Sequence, residues 1–179
     1  MTAPQLHLDA LRHCLATLED ESDRIAEWGD RLASVLTGGG RLLAVGNGGS
    51  AAQAQHLTSE LVGRYRLERA PYAAIALHCE PCVLSAIGND YGVAEQFARQ
   101  VLAHGRAGDV LIALSTSGAS ANVLHAARAA RGIGMIVWAL TGANPNDLGA
   151  LADDAVALPA EATATIQEAH LVAVHLLCE

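Results

Sequence analysis

The chain has 179 residues, a net charge of −8 at pH 7 and 51% hydrophobic residues, but only 17% charged residues. This composition excludes a disordered chain. The acidic balance argues against nucleic acid as a partner, because a phosphate backbone is bound by clustered Lys and Arg. Aromatic residues make up only 3% of the chain, so the core must be aliphatic, as is typical of helices packed on a buried parallel sheet.

The sequence contains no apolar stretch long enough to span a bilayer, and its N-terminus resembles no signal peptide. We therefore expect no membrane partner and a cytoplasmic location, where cysteines stay reduced. Two of the four cysteines form the motif Cys79-Glu80-Pro81-Cys82. A single pair of this kind is weak evidence for zinc or redox chemistry.

The first part of the chain, residues 1–37, is predicted to be helical. Leu8, Leu11, Leu15 and Leu18 keep an amphipathic spacing, and a second apolar stripe follows after a polar patch at residues 19–24. This patch is either a break between two helices or a solvated face of one helix. The glycines after Thr37 end the region.

Beyond residue 40, short apolar runs alternate with helical stretches. The runs predicted as buried strands are Leu42–Val45, Ala73–Leu77, Val110–Leu114, Ile133–Leu140 and Ala155–Leu158. The stretches predicted as helices are Ser50–Tyr65, Pro81–Ile87, Val93–Ala103, Ala119–Arg131, Asn146–Ala152 and Thr165–Cys178. This alternation predicts one α/β domain over residues 1–179, with a doubly wound five-stranded parallel sheet flanked by helices and an N-terminal helical extension.

Five parallel strands commonly take the order 2-1-3-4-5, which places the first and third strands side by side. The topological switch point of the sheet, where the strand order reverses, then lies between these two strands. Ligands bind at the carboxyl ends of the strands at such a point. The loop after the first strand is Gly46-Asn47-Gly48-Gly49-Ser50, and the loop after the third runs from Ser115 to Ser120. The topology therefore brings together the two loops that are richest in phosphate-binding groups.

Both loops have the chemistry of a phosphate site. The first offers free backbone N–H groups at a helix N-terminus, although a tight bend alone also explains its glycines. It lacks the lysine of a P-loop and the glycine spacing of a dinucleotide fingerprint, so a nucleotide is not indicated. The second supplies the hydroxyls of Ser115, Thr116, Ser117 and Ser120 ahead of a helix, more than an ordinary N-cap needs.

An imidazole–carboxylate pair follows the first loop. His56 and Glu60 stand four residues apart on one helix face, which by itself is more typical of a surface ion pair than of a catalytic pair. Gln167 and His175 stand eight residues apart on the last helix, which is two four-residue steps and places them roughly on one side. A histidine among aliphatic residues is, however, often part of the core. Next to a phosphate site, these groups suggest catalysis on a phosphorylated substrate.

Several separated motifs together resemble the sugar-isomerase (SIS) domain, and more narrowly the sedoheptulose 7-phosphate isomerases, also called phosphoheptose isomerases. The resemblance covers essentially the whole chain. Its motifs are Gly46-Asn47-Gly48-Gly49-Ser50, His56-x-x-x-Glu60-Leu61-x-Gly63-Arg64, Gly88-Asn89-Asp90, Ser115-Thr116-Ser117-Gly118-x-Ser120 and Ile166-Gln167-Glu168-x-His170.

This resemblance implies a ketose–aldose isomerase with Glu60 and His175 as catalytic residues. The residues it implies for substrate or phosphate binding are Asn47, Ser50, Arg64, Asp90, Ser115, Thr116, Ser117, Ser120 and Gln167. The ligands it implies for one zinc ion per subunit are His56, Glu60, Gln167 and His175. It further implies a homotetramer with active sites at subunit interfaces, in which residues 1–37 take part in oligomerisation.

Two alternatives stay open at this point. The chain is either an isomerase of another sugar phosphate or a non-catalytic SIS-domain protein-binding factor of the replication-initiator-associating type. The presence of both Glu60 and His175 favours an enzyme. Gln53 and Thr165 depart from the residues that the family commonly carries there. His175 has few residues after it, which makes the last helical turn a candidate for fraying.

Overall fold

The computed structural model describes residues 2–179. Five strands form one sheet, and every pair of neighbours is parallel. The strands are β1 (Leu42–Val45), β2 (Ala74–Ala76), β3 (Val110–Ser115), β4 (Ile136–Thr141) and β5 (Asp154–Ala157). Their order is β2-β1-β3-β4-β5, which confirms the predicted fold class and places β1 beside β3.

Eight α-helices surround the sheet, and a 3-10 turn at Val93–Glu95 separates the fourth from the fifth. They are α1 (Ala3–Asp20), α2 (Ser22–Thr37), α3 (Gly49–Val62), α4 (Pro81–Tyr91), α5 (Ala98–His104), α6 (Ala121–Gly132), α7 (Asp147–Leu151) and α8 (Thr163–Leu177). Among residues 2–179, no helix is long and apolar enough to cross a bilayer.

The polar patch near residue 20 is a break between two helices. Glu21 lies between α1 and α2, where its N–H donates to the Leu18 carbonyl. The Ser22 hydroxyl donates to the Glu19 carbonyl. Local hydrogen bonds of this kind compete with the helical pattern and end α1.

Several predicted boundaries are wrong. Helix α3 ends at Val62 rather than Tyr65, and α4 continues to Tyr91 rather than ending at Ile87. The fourth strand begins at Ile136 rather than Ile133, because Gly134 adopts φ +81° and the Met135 N–H bonds back to the end of α6. The predicted helix Val93–Ala103 is a 3-10 turn followed by the shorter α5. At the C-terminus, α8 extends to Leu177 and the Cys178 N–H closes its last turn on the His175 carbonyl at 3.0 Å. His175 therefore lies in a formed helical turn.

The two faces of the sheet carry separate aliphatic layers. Because successive strand residues point to opposite faces, Leu42 and Ala44 pack toward α1, α2, α3 and α8, whereas Leu43 and Val45 pack toward α5, α6 and α7. Helices α3 and α8 lie in contact on the first face. This contact brings two helices that are distant in sequence to one place.

Helix α2 is held on the sheet by an aromatic pair and one carboxylate. Trp28 stacks on Trp138 with ring centroids 5.0 Å apart. Its indole N–H donates to Asp154 at 2.8 Å, and Arg24 pairs with the same carboxylate. The N-terminal region is thus part of the core of this chain, and its role in oligomerisation stays a prediction.

His170 makes the stability of the fold depend on pH. Its ring is fully buried on α8 and lies 3.1 Å from the Thr141 carbonyl, to which Nε2–H donates. Burial lowers the pKa of His170 from 6.5 to about 4. As the pH falls from 6.5 toward 4, the unfolded chain binds a proton at this residue and the folded chain does not. We expect His170 to remove about 3 kcal/mol from the free energy of unfolding across this window.

Urea unfolding between pH 4 and pH 7.5 measures this effect. A His170→Gln variant keeps an amide donor for Thr141 without a titratable ring, so its stability should fall less steeply below pH 6.5. Curves for wild type and variant that stay parallel over the whole range would contradict the assignment.

Candidate active site

A cavity of about 230 Å³ opens between the loops that follow β1 and β3. The two loops are adjacent because their strands pair directly, with Val45 opposite Ala113. The residues of the predicted phosphate set that line the cavity are Asn47, Ser50, Ser115, Thr116, Ser120 and Gln167. The predicted switch point is therefore a cavity, here called the phosphate cradle.

The β1 loop is shaped by close approaches of its backbone. A Cβ atom at Gly46 would lie 2.7 Å from the backbone of Ser50, so only glycine lets the turn close onto the start of α3. At Gly49 a Cβ would collide with the side-chain amide of Gln167. Gln167 on α8 therefore lies directly over the loop at the N-terminus of α3, where backbone N–H groups favour an anion.

The β3 loop gathers its hydroxyls. Ser115 Oγ lies 3.3 Å from Ser120 Oγ and 3.5 Å from Ser117 Oγ. Ser120 is the N-cap residue of α6, yet its side chain makes no capping hydrogen bond. Its hydroxyl is turned to Ser115 instead, which favours a ligand-binding role over helix capping.

A second cluster lies where α3 meets α8. His56 Nε2 is 2.9 Å from His175 Nε2 and 3.2 Å from Glu60 Oε1. The Glu60 side chain is only 19% exposed, so this pair is not a fully solvated surface ion pair. Tyr65 stacks on His175 with ring centroids 5.6 Å apart. The contact of α3 with α8 thus assembles an imidazole–imidazole–carboxylate cluster, here called the histidine cluster.

Comparison with known proteins identifies the family of the chain. The SIS domain family model matches residues 7–142. A phosphoheptose isomerase of Streptomyces coelicolor is 62% identical over 172 residues, which cover 96% of this chain and 74% of that protein. The chain belongs to the phosphoheptose isomerase family. A second member, from Rhodospirillum rubrum, is 49% identical over 165 residues, with 92% of this chain and 88% of that protein covered.

Solved structures of the family have the same fold. A phosphoheptose isomerase of Neisseria gonorrhoeae superposes with a TM-score of 0.88 at 39% identity, covering 96% of this chain and 91% of that one. The enzyme from Francisella tularensis gives 0.87 at 35% identity, with 99% and 97% covered. These relatives make the chain a phosphosugar isomerase of the phosphoheptose isomerase family and not a non-catalytic protein-binding factor.

Two predicted substrate contacts lie away from the cradle within the single chain. Arg64 is exposed after α3, with its Nε 3.8 Å from Glu68 Oε2. Asp90 is exposed on α4 and accepts a hydrogen bond from Asn89 at 2.8 Å. Neither lines the cavity between the loops, and Ser117 of the β3 loop does not line it either. Their predicted role in this family stays a prediction.

The donor atoms predicted to bind zinc gather only in part. Two imidazole nitrogens and one carboxylate oxygen are donors that zinc accepts, and His56 Nε2 lies close to both of its partners. Their separations are those of hydrogen bonds. Within residues 2–179, no group of three or more His, Cys, Asp or Glu side chains already has the arrangement of a metal site. The donor chemistry fits zinc, and the assembled site stays a prediction.

No cysteine belongs to the phosphate cradle or to the histidine cluster. The four cysteines are free thiols. Burial, joined by the negative charge of Glu60, raises the pKa of Cys178 to about 12, so this thiol next to α8 stays protonated and is a poor nucleophile or metal ligand. Cys79 and Cys82 are exposed at the start of α4.

Sequence analysis missed two residues that contact the predicted site. Tyr65 packs on His175, and Asn122 hydrogen-bonds to Asn47 across the two loops. Asn122 follows Ser120 by two residues, in the first turn of α6. Its amide at that position was the available signal, but a polar residue in a first helical turn is too common to be singled out without the fold.

Proposed function

We propose that the chain interconverts sedoheptulose 7-phosphate and D-glycero-D-manno-heptose 7-phosphate. One observation carries the proposal: α3 and α8 each join the phosphate cradle to the histidine cluster, through Ser50 and His56 on α3 and through Gln167 and His175 on α8. His56 is six positions after Ser50, which is about 9 Å along a helix. This separation suits a sugar whose phosphate and carbonyl are at opposite ends of a long carbon chain.

The cluster has the groups that an enediol mechanism needs. A base takes a proton from C1 of the ketose and an acid gives a proton to the C2 carbonyl oxygen, which produces the enediol. A proton returned to C2, with loss of the O1 proton, then gives the aldose. A carboxylate and an imidazole supply this acid–base pair, which we assign to Glu60 and His175. The cradle fixes the phosphate so that the reacting carbons stay within reach of both groups.

Zinc fits this scheme as a proposed cofactor. His56, Glu60, Gln167 and His175 would hold the ion, and when bound it would polarise the carbonyl and stabilise the enediolate. Because Glu60 and His175 are also the proposed acid–base pair, a chelator tests which role dominates.

A homotetramer with interfacial active sites is the proposed assembly. The proposal is supported by the surface of α4, which has no buried residue in the single chain. Two of its large side chains are exposed there: Val83, and Tyr91 at 56%. A neighbouring subunit on α4 would cover these apolar groups and enclose Asp90.

The four free thiols support a reducing compartment, and we place the enzyme in the cytoplasm.

The test is to incubate the purified chain with sedoheptulose 7-phosphate, with added zinc and with chelator in parallel, and to follow the sugar by NMR. We expect an aldoheptose phosphate in the zinc sample and a slower reaction in the chelated one. Conversion of a shorter ketose phosphate alone would instead identify an isomerase of another sugar phosphate. No conversion of any ketose phosphate would contradict the proposal.

Ser117→Ala should weaken substrate binding more than turnover. Ser117 is exposed in the β3 loop, and its hydroxyl lies 3.5 Å from Ser115 Oγ at the edge of the cradle. A hydrogen bond to a charged group contributes about 1.5–3 kcal/mol, so KM should rise about 10- to 100-fold with a smaller change in kcat. Ser34→Ala on α2, outside the cradle, is the control. An unchanged KM for Ser117→Ala would argue against this loop as the phosphate site.

A further inference from the structure

The two loops of the phosphate cradle are joined by a reciprocal amide pair. Asn47 Nδ2 donates to Asn122 Oδ1 and Asn122 Nδ2 donates to Asn47 Oδ1, both at 2.9 Å. Asn47 belongs to the β1 loop, and Asn122 lies in the first turn of α6, directly after the β3 loop. This pair is a side-chain bridge between the two halves of the cradle.

The orientation of the Asn122 amide is fixed by a third hydrogen bond. Its Oδ1 also accepts from the Val123 N–H at 3.0 Å, so its Nδ2 must point at Asn47. The Asn122 side chain is buried, whereas Asn47 is exposed at the loop. The buried Asn122 side chain therefore fixes the position of the exposed Asn47 side chain.

We propose that Asn122 is a positioning residue for phosphate binding, acting through Asn47 to set the separation of the two loops. The inference deepens the proposed function at the same site. Asn47 uses Oδ1 and one N–H of Nδ2 in this pair, so its side chain serves the substrate mainly by holding the loop. The backbone carbonyl of Asn47 accepts a hydrogen bond from the Ser50 N–H at 2.9 Å. The position of Asn47 therefore also affects the position of the start of α3.

The separation matters because one phosphate must meet donors from both loops at once. Backbone N–H groups come from the β1 loop and the start of α3, and the hydroxyls of Ser115 and Ser120 come from the other side. Displacing positioned groups by about 1 Å can reduce activity by about 100-fold. Loss of the Asn122 side chain should therefore weaken phosphate binding without removing any residue that lines the cavity.

A double-mutant cycle tests the proposal with inorganic phosphate as the probe. The dissociation constant is measured by titration calorimetry for wild type, Asn47→Ala, Asn122→Ala and the double variant. We expect each single substitution to raise it at least about 10-fold, and the double variant to be no weaker than the worse single, because both changes remove the same bridge. KM for the sugar phosphate should rise in parallel, with kcat less affected.

Gln100→Ala is the matched control. Gln100 is also a buried amide with one hydrogen bond, to the Gln96 carbonyl at 2.8 Å, but it lies on α5 outside the cradle. It should lower stability and leave phosphate affinity unchanged. If Asn122→Ala does not fold, Asn122→Ser replaces it, since it keeps a polar side chain in the first turn of α6, adds no charge beside the phosphate and is too short to donate to Asn47.

Phosphate affinity within twofold of wild type in a folded Asn122 variant overturns the inference, as do independent effects that multiply in the double variant. The proposed function is tested separately by wild-type turnover. Phosphate binding that depends on Asn122 in a chain that converts no ketose phosphate would keep the inference and remove the function. Conversion of a ketose phosphate by a chain whose phosphate affinity does not depend on Asn122 would keep the proposed function and remove the inference.

Discussion

Glu60→Gln is expected to lower kcat by about 10²- to 10⁴-fold, the range that one general acid or base contributes. The substitution keeps the size of the side chain and removes its negative charge, so the histidine cluster loses its carboxylate at 3.2 Å from His56. The Glu60 backbone carbonyl still accepts from Arg69 at 2.7 Å, so the end of α3 should stay folded. Rates are measured by the NMR assay and folding by circular dichroism.

Glu68→Gln is the matched control, because its side chain is 88% exposed and its only ion pair within the described chain is with Arg64 at 3.8 Å. It should leave kcat within about twofold, since exposed pairs of this kind contribute little. A Glu60→Gln enzyme with wild-type kcat would show that the carboxylate takes no part in the reaction.

His175→Ala is expected to be as damaging, with a loss in kcat of about 10²- to 10⁴-fold. The substitution removes the imidazole that faces His56 at 2.9 Å and that Tyr65 covers. The ring is partly exposed in the last turn of α8, so the cavity left behind should cost little stability. Single-turnover rates and the urea unfolding midpoint separate the two effects.

His104→Ala provides the comparison. His104 is an exposed histidine in the last turn of α5, so the control removes an imidazole from an equivalent helix position away from the cluster. We expect turnover close to wild type. Retention of full activity by His175→Ala would sink its assignment as half of the acid–base pair.

The sheet was predictable because its signals are local. Each buried strand is a short apolar run, and the alternation with helices leaves few topologies, so the order β2-β1-β3-β4-β5 followed from the pattern. Boundaries were harder, because they depend on individual hydrogen bonds. Ile133 continues the apolar run of the fourth strand in sequence, but Gly134 and Met135 are bonded to the end of α6 instead.

The cradle was predictable from two loops and one topological rule. Neither loop required side-chain detail, because strand pairing alone places Val45 beside Ala113 and so joins their successors. The histidine cluster was only partly predictable. The spacing of His56 and Glu60 shows that they share a helix face, but the 2.9 Å approach of His175 depends on how α8 packs on α3.

Contacts that depend on side-chain packing could not be predicted from the sequence, and some predicted site residues do not reach the cavity of the single chain. The Asn47–Asn122 bridge needs the exact spacing of two loops, which no periodicity encodes. The structure of one chain leaves Arg64 and Asp90 exposed. Motif resemblance is the source of their predicted roles, and the proposed subunit interface is where those roles would be fulfilled.

In the proposed mechanism, the cradle anchors the far end of a heptose while the histidine cluster acts on its carbonyl end. The most direct test compares kcat/KM for sedoheptulose 7-phosphate, unphosphorylated sedoheptulose and a shorter ketose phosphate under identical conditions. We expect sedoheptulose 7-phosphate to exceed each of the others by at least about 100-fold, since anchoring and orientation contribute several kcal/mol to such reactions. Equal rates with and without the phosphate, or a preference for the shorter sugar, would contradict the account.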